Sequence, residues 1–224
     1  MPSARIDCIG EERQPVIVID EFVPDPDALR AKAEALDYRT IGRHYPGLRA
    51  EVAASDVDAF LEPVRDMIAH VFGFGEPPTV ISAGYSIVTT RPAELTPIQR
   101  LPHFDGFEAE RVALLHYLDG AERGGTAFYR HRSTGYETIS ADRHASYDAA
   151  LRGEVARHGL PDAAYISGST PIYEQIARFE ARPNRALIYR GQLLHCADLP
   201  ADLDFTPDPR RARLTVNTFL MGSL

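Results

Sequence analysis

The chain has 224 residues, 44% of them apolar and 25% charged, the composition of an ordinary globular protein long enough to bury a core without disulfide staples. Its 32 acidic residues against 24 basic ones give a formal charge of -8, which disfavours nucleic acid as a partner. No apolar run approaches the roughly 20 residues of a membrane span, residues 1–10 lack the basic-then-apolar order of a secretory signal, and Cys8 and Cys196 cannot make a disulfide framework, so a reducing cytoplasm is the expected compartment.

Residues 15–19, Pro-Val-Ile-Val-Ile, read as a short buried strand. Asp25-Pro26 then offers an N-cap followed by proline at the first helical position. Leu29, Ala33 and Leu36 recur at helical spacing, which predicts a helix over 26–37. A second helix is predicted from Ser55 to about residue 72, with Phe60, Val64, Ile68 and Val71 on one face. Pro63 should kink or restart it and Gly73 should end it. From residue 79 the pattern changes to short β-rich runs at 79–90, 111–118, 126–129, 185–189 and 211–220. Residues 131–180 interrupt them with a helix-like stretch from Ser140 to His158, closed by Gly159. Helices first and antiparallel strands after predict an α+β chain whose main body is a sandwich or barrel, organised as one domain over 1–224.

Three pieces carry chemistry. In Pro102-His103-Phe104-Asp105, residues 103 and 105 project to one face of an extended chain. His195 follows the strand 185–189 and can bring a second imidazole from a neighbouring strand. Two histidines and one carboxylate on one face leave opposite coordination positions open, as in non-haem Fe(II) oxygenases. Each part alone has a plainer reading: His103 caps a turn and His195 is a satisfied core histidine. The third piece is the alternation over 211–220. Ala212, Leu214, Val216, Thr218 and Leu220 share one face, and Arg211, Arg213, Thr215, Asn217 and Phe219 the other. On a solvent edge that polar stripe is unremarkable; inside a barrel it makes a carboxylate site, because arginine pairs carboxylates with two parallel hydrogen bonds. Lys32 is the sole lysine among the 24 basic residues, so arginine is abundant here and no single one is strong evidence.

These segments, together with His116-Tyr117-Leu118-Asp119 and Gly124-Gly125-Thr126-Ala127-Phe128, resemble the Fe(II)/2-oxoglutarate-dependent dioxygenases, in particular their prolyl-hydroxylase-like branch, over roughly residues 80–222. More narrowly, the whole chain is similar to an uncharacterised bacterial family within that superfamily, on Pro-His-Phe-Asp, Gly-Gly-Thr-Ala-Phe-Tyr-Arg-His and Arg-Gly-Gln-Leu-Leu-His. The resemblance implies a double-stranded β-helix (jelly-roll, cupin-like) core over 79–222, with a helical insertion at 131–180 and an N-terminal strand and buttressing helices over 1–78. It implies Fe(II) on His103, Asp105 and His195, with 2-oxoglutarate and O2 as co-substrates. Arg211 takes the far carboxylate of 2-oxoglutarate, Arg213 is the second choice, and Thr215 and Tyr117 assist. The implied reaction is hydroxylation of a small molecule, amino acid or peptide side chain, with release of succinate and CO2. Asp105 argues against halogenation, which goes with loss of that carboxylate.

Two other classes use the same residues differently: a cupin-like metalloenzyme without 2-oxoglutarate, which has no need of Arg211, and a non-catalytic β-sandwich binding module. His116, His131 and His144 read as packing or surface residues, Tyr129-Arg130-His131-Arg132 as a solvated loop, and Tyr85 and Gln99 as weak candidates for co-substrate contact. The substrate and the oligomeric state are not legible in the sequence.

Overall fold

A computed structural model describes residues 3–42 and 44–224. Two antiparallel sheets face one another. The larger has seven strands in the order β1-β2-β8-β5-β10-β4-β3 and the smaller three, β7-β6-β9. In chain order these are β1 (Ser3–Ile9), β2 (Gln14–Asp20), β3 (Gly47–Glu51), β4 (Thr79–Val88), β5 (Arg111–Tyr117), β6 (Gly125–His131), β7 (Tyr173–Glu180), β8 (Arg185–Arg190), β9 (His195–Asp198) and β10 (Leu214–Met221).

The layers follow from side-chain alternation. On β2, β5, β8 and β10 one set of residues points outward, among them Ile17, Leu114, Ile188 and Val216. The alternate set, including Val18, Leu115, Leu187 and Tyr189, points at the small sheet. Residues 15–19 are apolar throughout because β2 is covered on both faces. The outward set is covered by α1 (Pro26–Glu34), α2 (Ala54–Leu61) and α3 (Arg65–Phe72), through Leu29, Phe60, Leu61, Ile68 and Phe72. Each fully buried large apolar side chain contributes roughly 1.5–3 kcal/mol. Exposed ion pairs such as Arg39–Glu51 contribute roughly 0–1 kcal/mol, so burial dominates the helical layer.

Local chemistry sets the helix ends. Asp25 accepts a hydrogen bond from the Ala28 N–H at 2.9 Å, capping α1 behind Pro26. α1 stops at Glu34, a turn short of the expected 37. Pro63 splits the second predicted helix into α2 and α3 through a 3-10 turn at Glu62–Val64. Gly73, at φ 73°, closes α3 in the left-handed conformation.

The interruption at 131–180 is shorter than the sequence predicts. β6 runs on through His131, so residues 129–131 are strand rather than solvated loop. Tyr173–Glu180 returns as β7, paired along β6. The segment between them carries α4 (Ala141–His158), which packs on the outer face of the small sheet through Tyr147, Leu151 and Val155 against Tyr129, Tyr173 and Leu194. No described helix is long and apolar enough to cross a membrane.

The turn into β6 depends on glycine. Gly124 has φ 95°, and a Cβ there would collide with the Asp198 carbonyl oxygen. Gly135, at φ 73°, has open space around it. Gly124→Ala should therefore cost more than Gly135→Ala, which carries only the left-handed penalty of roughly 1–3 kcal/mol. Urea denaturation of the two variants measures the difference; equal losses would mean that β6 and β9 can separate to admit the methyl.

Candidate metal centre and cavity

The site begins with a backbone pairing. The His103 N–H donates to the His195 carbonyl at 2.9 Å, and the His195 N–H donates to the His103 carbonyl at 2.8 Å. Residues that exchange both bonds in an antiparallel pair carry their side chains on the same face. The two imidazole rings accordingly lie side by side, with centroids 4.3 Å apart. Two residues on, the Asp105 N–H donates to the Gly191 carbonyl at 2.7 Å, which turns the carboxylate to the same face.

Donor atoms of His103, Asp105 and His195 all lie within 4.8 Å of one another. His103 Nε2 is 3.7 Å from Asp105 Oδ1, and His195 Nε2 is 3.5 Å from Oδ2. These separations are longer than hydrogen bonds and close to the roughly 3 Å between neighbouring ligands around an ion bonded at roughly 2.1 Å. His195 Nδ1 lies 2.7 Å from the Leu193 carbonyl, which can only accept. That contact fixes the proton on Nδ1 and leaves the Nε2 lone pair for the cluster. Desolvation, then the neighbouring His195, push the His103 pKa down to about 4 against the pull of Asp105, although the side chain is 55% exposed toward the cavity. The ring is therefore neutral at pH 7, the form in which imidazole binds metals. Donor set, spacing and protonation fit a divalent ion with open positions.

The cluster opens into a cavity of about 560 Å³ between the sheets. The inward stripe of β10 forms one wall, with Thr215, Asn217 and Phe219 lining it. Just before the strand, Arg213 also lines the cavity. It is 4% exposed, donates from Nη2 to the Gly125 carbonyl at 3.1 Å, and stands over the Tyr117 ring at 5.5 Å. Its Nε is buried with no partner among the described residues. A buried guanidinium with an unpaired donor is costly unless an anion completes it.

Arg211, the first choice for the carboxylate anchor, lies elsewhere. A turn held by Arg211 N–H and Ala212 N–H bonds to the Asp208 carbonyl ends the alternation there, and β10 begins only at Leu214. Arg211 is paired to Asp204 at 2.6 Å with its side chain 68% exposed, outside the cavity. Tyr117 is close but indirect. Its hydroxyl bonds Thr126 Oγ1 at 2.6 Å, and Thr126 is the one that lines the cavity.

The remaining candidates divide. Tyr85 faces the helical layer, its hydroxyl on the Leu29 carbonyl, whereas Gln99 reaches the cavity rim. His116 is buried, bonded to Asn184, and desolvation pushes its pKa down to about 4. His131 is buried between β6 and α4 against Glu154 at 2.6 Å. His144 lies at the cavity mouth, edge-on to Phe107 at 4.9 Å. Tyr45, Tyr189 and the α4 residues Tyr147, Asp148 and Leu151 also line the cavity. Parity could have found Tyr189, two residues from inward Leu187; nothing in the sequence marks Tyr45.

The fold is similar to that of HygX from Streptomyces hygroscopicus, solved with nickel and 2-oxoglutarate bound: TM-score 0.54 at 16% identity, covering 95% of this chain and 85% of that one. It is also similar to SnoK, described as a non-heme alpha ketoglutarate dependent carbocyclase from nogalamycin biosynthesis (TM-score 0.53, 14% identity, 94% and 81% covered). A third similar structure is SnoN, described as an epimerase of the same biosynthesis (0.52, 12%, 94% and 79%). Identities this low speak to the fold alone. No curated protein matches the sequence. A sequence profile does match, over residues 1–220, and by it the chain belongs to the family described as "Family of unknown function (DUF6445)".

Proposed function

We propose that this chain is an Fe(II)- and 2-oxoglutarate-dependent dioxygenase that hydroxylates a small molecule, and that its two facing sheets form a double-stranded β-helix within one domain. One observation carries the reading: the His103, Asp105 and His195 cluster and the buried, incompletely paired guanidinium of Arg213 open into the same cavity. A guanidinium lining the same cavity as the cluster is what an acidic co-substrate needs. HygX, whose fold is similar, was solved with nickel and 2-oxoglutarate bound.

In this reading His103, Asp105 and His195 hold the iron, and Arg213 with Thr215 holds the far carboxylate of 2-oxoglutarate. The chemistry supplied by Fe(II) in this position is oxidation of a C–H bond by O2, coupled to conversion of 2-oxoglutarate to succinate and CO2. The protein's own part is orientation and exclusion of water. The Gly125 carbonyl and the Tyr117 ring fix the Arg213 guanidinium before the co-substrate arrives, which removes part of the ordering cost of binding. The Leu193 carbonyl fixes the His195 tautomer, and the Asp105–Gly191 bond fixes the carboxylate. Tyr117 acts through Thr126 rather than on the co-substrate itself.

Two experiments test this. Anaerobic titration of the Fe(II)-loaded protein with 2-oxoglutarate should produce a visible charge-transfer band that is absent in His103→Ala; iron binding with no such band would leave a metalloenzyme of another kind. Arg213→Gln should weaken 2-oxoglutarate binding about 10- to 100-fold, the equivalent of roughly 1.5–3 kcal/mol for charged hydrogen bonds. Arg211→Gln should change it less than about twofold, as expected for an exposed pair. Equal effects of the two substitutions, read by calorimetry, would show that Arg213 is not the anchor.

A further inference from the structure

α4, packed on the outer face of the small sheet, also lines part of the cavity. His144, Tyr147, Asp148 and Leu151 stand at i, i+3, i+4 and i+7, one helical stripe, and all four line the cavity. Phe104, carried between the two ligands His103 and Asp105, meets this stripe edge-on at Tyr147 and His144. Phe107 closes the corner against Phe104 at 5.3 Å and against His144 at 4.9 Å. An aromatic corner of this kind favours flat apolar groups.

The charges are equally selective. Among the described lining residues Arg213 is the only arginine or lysine, and Asp105 and Asp148 are the only carboxylates. Arg49 is not among the lining residues; its guanidinium is stacked on the Tyr45 ring at 4.2 Å, and its buried Nε has no partner among the described residues. Once Arg213 is committed to 2-oxoglutarate and Asp105 to the metal, the acidic side chain left among the lining residues is Asp148, half-exposed and paired with Arg152 at 2.8 Å. A carboxylated or phosphorylated substrate would then lose its hydration without a lining guanidinium or ammonium to replace it.

We infer that the substrate is a ring-bearing, mainly apolar small molecule, neutral or cationic but not anionic, seated against the α4 stripe. This excludes phosphorylated compounds and free amino acids whose carboxylate must be bound. The inference rests on the oxygenase reading, because that reading is what commits Arg213.

The test uses three probes of one size: 2-naphthalenemethanol, 2-naphthalenemethylamine and 2-naphthoate. Each is titrated by calorimetry into the anaerobic Fe(II) and 2-oxoglutarate-loaded protein. The alcohol and the amine should bind one-to-one, at least tenfold more tightly than the naphthoate. Leu151→Glu should weaken the alcohol at least tenfold. His144→Ala, at an exposed position that the fold does not need, should weaken it several-fold. Both should leave 2-oxoglutarate affinity within twofold. Naphthoate binding tightest while the charge-transfer band is intact would overturn the inference. So would an alcohol affinity that neither substitution changes, or no binding by any probe. Failure of the band to form is a separate result: it removes the oxygenase reading and with it the premise that Arg213 is occupied.

Discussion

The reciprocal backbone pair between His103 and His195 is the constraint on which the site depends. Residues 103–105 form no strand of their own; they are held as an added edge on β9. Two hydrogen bonds at residue 103 and one at residue 105 set the register of that edge. A slip of one residue would exchange the face that carries Phe104 with the face that carries both candidate ligands, since successive side chains on an extended chain alternate faces. The side chain of Gln192, bonded to the Phe107 carbonyl, extends the same fastening beyond the ligands. The geometry of the candidate metal site is thus specified by main chain, and only its chemistry by the side chains.

The larger sheet does two jobs with one alternation. Along β10, Leu214, Val216 and Leu220 join the helical layer while Thr215, Asn217 and Phe219 face the cavity. The three helices on the outside stabilise the sheet, which frees its inner face to carry polar groups that contribute little to folding. Arg213 is the extreme case. Its guanidinium, buried with one donor unpaired, is a cost in the free protein. Such local costs are tolerated where the rest of the structure over-determines the fold, and here the apolar outer layer does so.

The parts of this architecture legible in the sequence are those set by neighbours along the chain. The Asp25-Pro26 cap, the break at Pro63 and the stop at Gly73 act within a few residues and appear where expected, and the alternation predicted for 211–220 holds from Leu214 on. His103, Asp105 and His195 were legible as a joint pattern of residue types. The choice between Arg211 and Arg213 was not, because both have the right parity. The deciding event is the turn on the Asp208 carbonyl, which takes Arg211 off the strand. Edge strands β1 and β3 were missed because their residues are mostly exposed or half-buried and carry no clean apolar pattern. The loop bringing Tyr45 to the cavity, and the face α4 turns toward it, depend on packing between segments far apart in the chain.

Whether α4 is a moving lid or a fixed wall follows from what holds it. Its Tyr147 hydroxyl is hydrogen-bonded to Tyr173 of β7 at 2.7 Å, in a buried position. Two turns further on, Glu154 meets the buried His131 of β6 at 2.6 Å. Desolvation holds the His131 pKa down even against the pull of that carboxylate. Lifting the helix would expose Leu151 and Val155 and leave both polar pairs to be re-formed with water, at a cost that grows with each buried partner. Two attachments on two strands of the small sheet therefore make α4 an extension of that sheet. Its cavity-facing stripe then acts through shape and charge fixed in advance, which gives selectivity without requiring closure.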